Sequence, residues 1–132
     1  MNSLKGKITA VQVHGQLSLV HVQAGDTLLK SIVIETPASA PTLKEGCDIQ
    51  VLFKETEVII GTGREHFISL QNRLSCTIRH LEKGKLLCKL HLHHTAAEIV
   101  SVITTAAVEQ LHLKVGDVVT AMIKTNEIML SE

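Results

Sequence analysis

Two groups of side chains in this chain have types and spacing that could do chemistry. The first centres on Lys124, which ends a β-branched run (Val118 to Ile123) and is followed by the polar pair Thr125-Asn126. Upstream, Thr104-Thr105-Ala106-Ala107 opens a short amphipathic turn of helix with Val108 and Leu111 on one side. A lysine at a strand end, near threonine hydroxyls and a helix start, supplies positive charge and hydrogen-bond donors, the chemistry that holds a small anion. The second group is Lys89-Leu90-His91-Leu92-His93-His94. His91 and His93 share a strand face at a spacing able to chelate zinc, nickel or copper. Leu90 and Leu92 claim the core face, so this pair is left to solvent or a subunit contact, with no third ligand nearby. No Ser-His-Asp set, glycine-rich phosphate loop or paired-carboxylate motif occurs, and the chain is expected not to be an enzyme.

The elements that carry Lys124 occur twice. A shift of 70 residues, without a gap from residue 2 to residue 62, places Leu43-Lys44-Glu45-Gly46 on Leu113-Lys114-Val115-Gly116 and Lys54 on Lys124. The other identical pairs are Asn2/Asn72, Leu4/Leu74, Ile8/Ile78, Leu17/Leu87, His21/His91, Ser31/Ser101 and Glu57/Glu127. Val33/Ile103, Phe53/Ile123, Val58/Ile128 and Ile60/Leu130 keep the apolar register between them. A hydrophobic register matched over so long a stretch indicates an internal duplication. The expected organisation is a first repeat over 1–62, a linker over 63–68 and a second repeat over 69–132. The linker is short, so the two units must pack together or trade strands.

Each repeat reads as a set of short strands. In the first, 4–13 and 17–23 flank a turn at His14-Gly15, then come 27–34, 48–54 and 57–60. Along 17–23, Leu17, Leu19, His21 and Gln23 share one face and Ser18, Val20 and Val22 the other. Both prolines, Pro37 and Pro41, fall where the second repeat has its helical turn, which breaks or shortens that turn in the first. The pattern predicts an all-β protein of two tandem OB-like Greek-key barrel units, each with one short helix.

Composition narrows the function. Of 132 residues, 13 are basic and 13 acidic, which disfavours a nucleic-acid binder. With two Phe and no Tyr or Trp, there is no stacking platform for bases. Neither a signal peptide nor a membrane-spanning run is present. The three cysteines, Cys47, Cys76 and Cys88, are odd in number and widely spaced, as in a reducing compartment. The expected location is the cytoplasm.

With the repeats in view, the chain resembles a tandem molbindin, a duplicated molybdate/tungstate-binding domain of the TOBE type. That family shows a Ser-x-Arg-Asn-x-Leu-x-Gly opening strand, an Ile-Thr turn, a Leu-x-Leu-x-x-Gly-Asp-x-Val core strand and an Ile-Lys-x-x-x-Val ending. The second repeat carries Ser69-Leu70-Gln71-Asn72-Arg73-Leu74, Ile103-Thr104, Leu111 to Asp117 and Ile123-Lys124-Thr125-Asn126-Glu127-Ile128. The first carries Asn2 to Ile8, Leu43 to Gly46 and Phe53-Lys54-Glu55-Thr56-Glu57-Val58. The resemblance implies molybdate or tungstate as bound ligand, held at subunit interfaces of a homo-oligomer, a trimer for tandem versions. It implies Ser69, Gln71, Asn72, Thr104, Lys124 and the amide of Thr125 as anion donors, with Asn2 and Lys54 their counterparts in the first repeat. The chain departs from the pattern at Gln71, where the family has arginine, at Ala107, where it has serine, and at Ile34, which replaces the hydroxyl of Thr104. Two functions follow from the resemblance: oxyanion storage or homeostasis, and a regulatory or oligomerisation module for a molybdate transporter ATPase or a transcription factor. Neither involves nucleic acid or membrane contact by this chain.

Overall fold

The structure is a computed structural model that describes residues 1–63 and 67–132. Within the expected linker, Arg64, Glu65 and His66 lie outside the described residues. Among the described residues, ten strands form two five-stranded antiparallel sheets. The first repeat contributes β1 (Asn2–His14), β2 (Leu17–Ala24), β3 (Thr27–Val33), β4 (Asp48–Phe53) and β5 (Ile59–Gly61). The second contributes β6 (Asn72–Lys83), β7 (Leu87–His93), β8 (Glu98–Thr104), α1 (Thr105–Gln110), β9 (Val118–Ile123) and β10 (Met129–Ser131).

The expectation of one helix per unit holds only for the second. There, Thr104 caps α1 by accepting a hydrogen bond from the Ala107 amide at 3.1 Å. In the first repeat the Pro37 to Pro41 stretch forms turns, closed by hydrogen bonds from the Ser39 and Ala40 amides to the Thr36 carbonyl. Proline lacks the amide that would continue a helix.

Alternation along the strands builds the core. Val20, Val22 and Ala24 of β2 and Leu90 and Leu92 of β7 point inward and are buried. The long opening strands are bent because each serves two neighbours. Residues 2–7 of β1 pair with β4 and residues 7–14 with β2, with a bulge between Ile8 and Ala10. β6 repeats this, with its bulge between Ile78 and His80. At each bulge a glycine turn plugs in: the Gly46 amide donates to the Ile8 carbonyl at 2.7 Å, and that of Gly116 to Ile78 at 2.8 Å. Both glycines take positive φ, 90° and 95°, where a side chain would be strained.

The two units trade their closing strands. The sheet orders are β10-β4-β1-β2-β3 and β5-β9-β6-β7-β8. Thus β5 of the first repeat pairs with β9 (Ile60↔Ala121), and β10 of the second pairs with β4 (Leu130↔Val51). The apolar cores merge through the crossing residues Val58 and Ile128, both buried.

Four buried polar side chains fix the crossing. Asn72 accepts from the Lys30 amide at 2.7 Å and donates to the Lys30 carbonyl at 2.8 Å, so it serves as a partner to the open edge of β3. Asn2 does the same for Val100 on β8, both bonds at 2.8 Å. Ser31 donates to the Ile128 carbonyl at 2.8 Å, and Ser101 to the Val58 carbonyl at 3.0 Å. Each contact recurs under the same 70-residue shift, so the chain has a pseudo-twofold relation between its halves. Other contacts between the halves lack a counterpart. His94, with its ring nitrogen 3.1 Å from the Thr27 hydroxyl, and Thr95, bonded to Asp26 at 2.9 Å, join the two β-turns.

Asn72 is 0% exposed, and its loss would orphan a backbone donor and an acceptor together. Substituting Asn72→Ala is expected to lower stability by about 3 kcal/mol, given about 1–3 kcal/mol for each unsatisfied buried group. Urea denaturation checks this, with the exposed Ser3→Ala as a control that leaves the midpoint unchanged.

Candidate functional site

The two strand-end lysines sit in matching backbone settings. Lys124 has φ −67° and ψ 147°, and Lys54 has φ −75° and ψ 149°. Each leads into a single 3₁₀ turn, residues 125–127 and 55–57, in which the amide of Glu127 or Glu57 donates back to the lysine carbonyl at 3.1 and 3.0 Å. No side chain caps either turn. Both lysines are exposed, and among the described residues neither makes an ion pair.

Because the closing strands are traded, each turn packs on the other repeat. The turn after Lys124 lies against β3, and the turn after Lys54 lies against β8. Asn72, across from Ile123 in the sheet, grips β3 at Lys30 beside the Lys124 turn. Ser69 and Gln71 are exposed ahead of β6, close in sequence to this end. The segment that carries them is held by Arg73, whose guanidinium donates to the Leu70 carbonyl at 2.8 Å and the Ile68 carbonyl at 3.1 Å. Sequence reasoning overlooked Arg73 because its neighbour Asn72 filled the family position.

Not all the expected donors converge. Asn2 and Asn72 are buried and spend their amides on the opposite edge strand, so in the chain itself they present no surface to a solute. Thr104 lies in register with Leu87, at the β6–β7 hairpin end of its sheet, while Lys124 follows Ile123 at the opening end of β6. No hydrogen bond joins them within one chain. Thr104 uses its oxygen to accept from Ala107, which leaves its O–H free to donate. Thr125 is half-buried in the turn against β3, and exposed Lys54 precedes the turn against β8.

Charge is distributed unevenly between the two ends. Glu55 reaches Lys89 of β7 at 4.0 Å; the matching positions are Thr125 and Leu19. Glu127 and Glu57, equivalent under the repeat, meet between the two turns. Burial first, and then the charge and hydrogen bond of Glu57, push the Glu127 carboxyl above the usual carboxylate range, with Lys124 opposing.

The histidine alternative is dispersed. His91 and His93 do share the outer face of β7, but each is bonded to its own carboxylate, Glu82 and Glu98. The strand partner of His91 is His80, with ring centroids 5.4 Å apart. Among the described residues no three metal-ligating side chains assemble into a site. The three thiols are free, and burial pushes Cys76 up to about 11. No helix among the described residues is long and apolar enough to cross a membrane.

Duplicated five-stranded barrels with a lysine turn at each closing-strand exchange define a class, and the comparisons agree. Residues 68–130 match the TOBE domain. A structure of the cytoplasmic molybdate-binding protein ModG with molybdate bound superimposes with a TM-score of 0.91 at 27% identity, covering 98% of this chain and 94% of that one. A molybdate-binding protein from Sporomusa ovata is 33% identical over 51% of this chain and 100% of its own, with a TM-score of 0.49. Among curated proteins none matches in sequence. The protein is a duplicated TOBE-type β-barrel. Over nearly its whole length it resembles the tandem molybdate-binding protein ModG in fold.

The Glu127 shift has a testable consequence. A carboxyl whose folded pKa is raised binds more protons folded than unfolded, so stability falls as pH rises through that window and the cost is fully present at neutral pH. Glu127→Gln is therefore expected to raise the melting temperature at pH 7 and to change it little near pH 4. Thermal scans across pH read both limits.

Proposed function

We propose that this protein binds molybdate or tungstate as a storage or homeostasis protein, in sites completed between copies of the chain, and performs no catalysis. The observation that carries the reading is the match to molybdate-bound ModG over nearly the whole of both chains. A tetrahedral oxyanion accepts hydrogen bonds and donates none, so its site must consist of donors. Exposed Lys124, the backbone amide of Thr125, the free O–H of Thr104 and the side chains of Ser69 and Gln71 are such donors. Lys54 offers the same charge at the other end. Asn2 and Asn72 contribute by holding the edge strands on which these groups rest.

Assembly between copies accounts for the separation of Thr104 from Lys124, since a neighbouring chain brings one to the other. It also accounts for the exposed apolar side chains Leu17, Leu28, Ile32 and Ile34 on and beside the outer face of the β2–β3 pair. A trimer is the proposed state, located in the cytoplasm like its structural relative, with the oxyanion and further copies of itself as partners.

The chain has neither Trp nor Tyr, so binding is best read by mass and element analysis. Protein dialysed against micromolar molybdate and then buffer is expected to keep molybdenum at a fixed ratio per oligomer in native mass spectrometry. Lys124→Ala is expected to weaken retention about 10- to 100-fold, since a hydrogen bond to a charged group contributes roughly 1.5–3 kcal/mol. An oligomer that stays free of molybdenum would refute the reading.

A further inference from the structure

The halves are alike in backbone but unlike in charge at the strand-end turns. At the Lys124 turn, the residue after the lysine is Thr125, and the β3 residue gripped by Asn72 is Lys30. At the Lys54 turn, these positions hold Glu55 and Val100. Lys30 alternates with buried Leu29 and Ser31, so its side chain lies on the outer face of β3. Glu55 reaches Lys89 on the corresponding outer face of the other sheet, across β8. By the repeat, Thr125 overlies the outer side of β3, where Lys30 projects. We propose that oxyanion binding is polarised to the Lys124 end, where Lys30, delivered by the opposite repeat, is the second cation of the site. Glu55 is a resident carboxylate at the other end that already takes up the positive charges of Lys89 and the Met1 ammonium, so that they are not available to a dianion.

Both parts follow from charge. The Lys30 and Lys124 ammonium groups form no ion pair among the described residues and carry two positive charges to one end. The Lys54 end has Lys54, Lys89 and the Met1 ammonium, but Glu55 pairs with the last two, at 4.0 and 3.7 Å, which leaves Lys54 as the unpaired cation there among the described residues. A tetrahedral dianion gains from two ammonium groups and loses beside a fixed carboxylate, and these effects are strongest where an assembly excludes water. The backbone grip of Asn72 places Lys30 irrespective of its side chain, so a change there alters charge and leaves the edge-strand contact in place.

The inference rests on the proposed molybdate binding, and the experiment separates the two. Equilibrium dialysis with molybdenum quantification is run on the wild-type protein, Lys30→Val and Glu55→Thr, each variant carrying the residue of the opposite repeat. Native mass spectrometry and a melting curve check assembly and folding. Wild-type protein is expected to bind at a fixed ratio, Lys30→Val to bind at least tenfold more weakly, and Glu55→Thr to take up an additional anion per chain. Arginine at position 30 is expected to restore most of the affinity. If wild type binds no molybdate, the proposed function itself fails. If wild type binds and an intact Lys30→Val oligomer binds equally well, the role of Lys30 is overturned; an unchanged ratio in Glu55→Thr overturns that of Glu55.

Discussion

The exchange of closing strands is the constraint on which the rest of the structure depends. Once β5 leaves its own unit to pair with β9, and β10 pairs with β4, neither repeat can complete a sheet alone. The crossing segments carry backbone carbonyls at Val58 and Ile128 into the merged core, and a buried carbonyl without a partner is costly. Ser101 and Ser31 supply those partners, and Asn2 and Asn72 satisfy the edges on which the crossing turns rest. Burying four polar side chains is stabilising here because each is matched to a backbone group that has no other partner.

The same exchange shapes the candidate site. A lysine turn at the end of an unexchanged strand would face its own unit. Here each turn faces the edge strand of the other unit, so its chemical surroundings come from distant sequence. The turn after Lys124 packs on β3, the strand of Lys30, for this reason, and Glu55 reaches Lys89. The duplication supplied two equivalent backbones, and the side chains on the partner strands made them different.

Much of this architecture was legible in the sequence. Alternation in β2 and β7 gave the strand faces, and prolines at 37 and 41 marked where the helix would fail. The 70-residue register gave the duplication. The meaning of individual identities was harder to read. Asn2/Asn72 and Ser31/Ser101 repeat because both halves need the same backbone partners at the crossing. From one dimension a buried amide on a backbone edge and an exposed amide on an anion are the same letter at the same spacing. The glycine pair and Ile8/Ile78 are likewise explained by the bulge, which no local pattern announces. Lys30 went unnoticed because its counterpart is Val100, so the search for matching letters passed over the position where the halves differ.

That last point bears on how function is distributed in a duplicated fold. Identical pairs report what both halves must do, which here is mostly to close the exchange and shape the turns. Exposed Lys54 and Lys124 survive in both halves without a structural partner among the described residues, so packing does not explain them. Their exposure leaves them available for the proposed anion binding, while the unlike neighbours, Thr125 with Lys30 and Glu55 with Val100, give the two ends different charge. Both ends present an ammonium on the same backbone. Two ammonium groups without an ion pair suit a dianion, and an end whose carboxylate already engages its neighbouring cations offers it less. Under the proposed reading, selectivity between the two ends rests on positions where the internal repeat is broken.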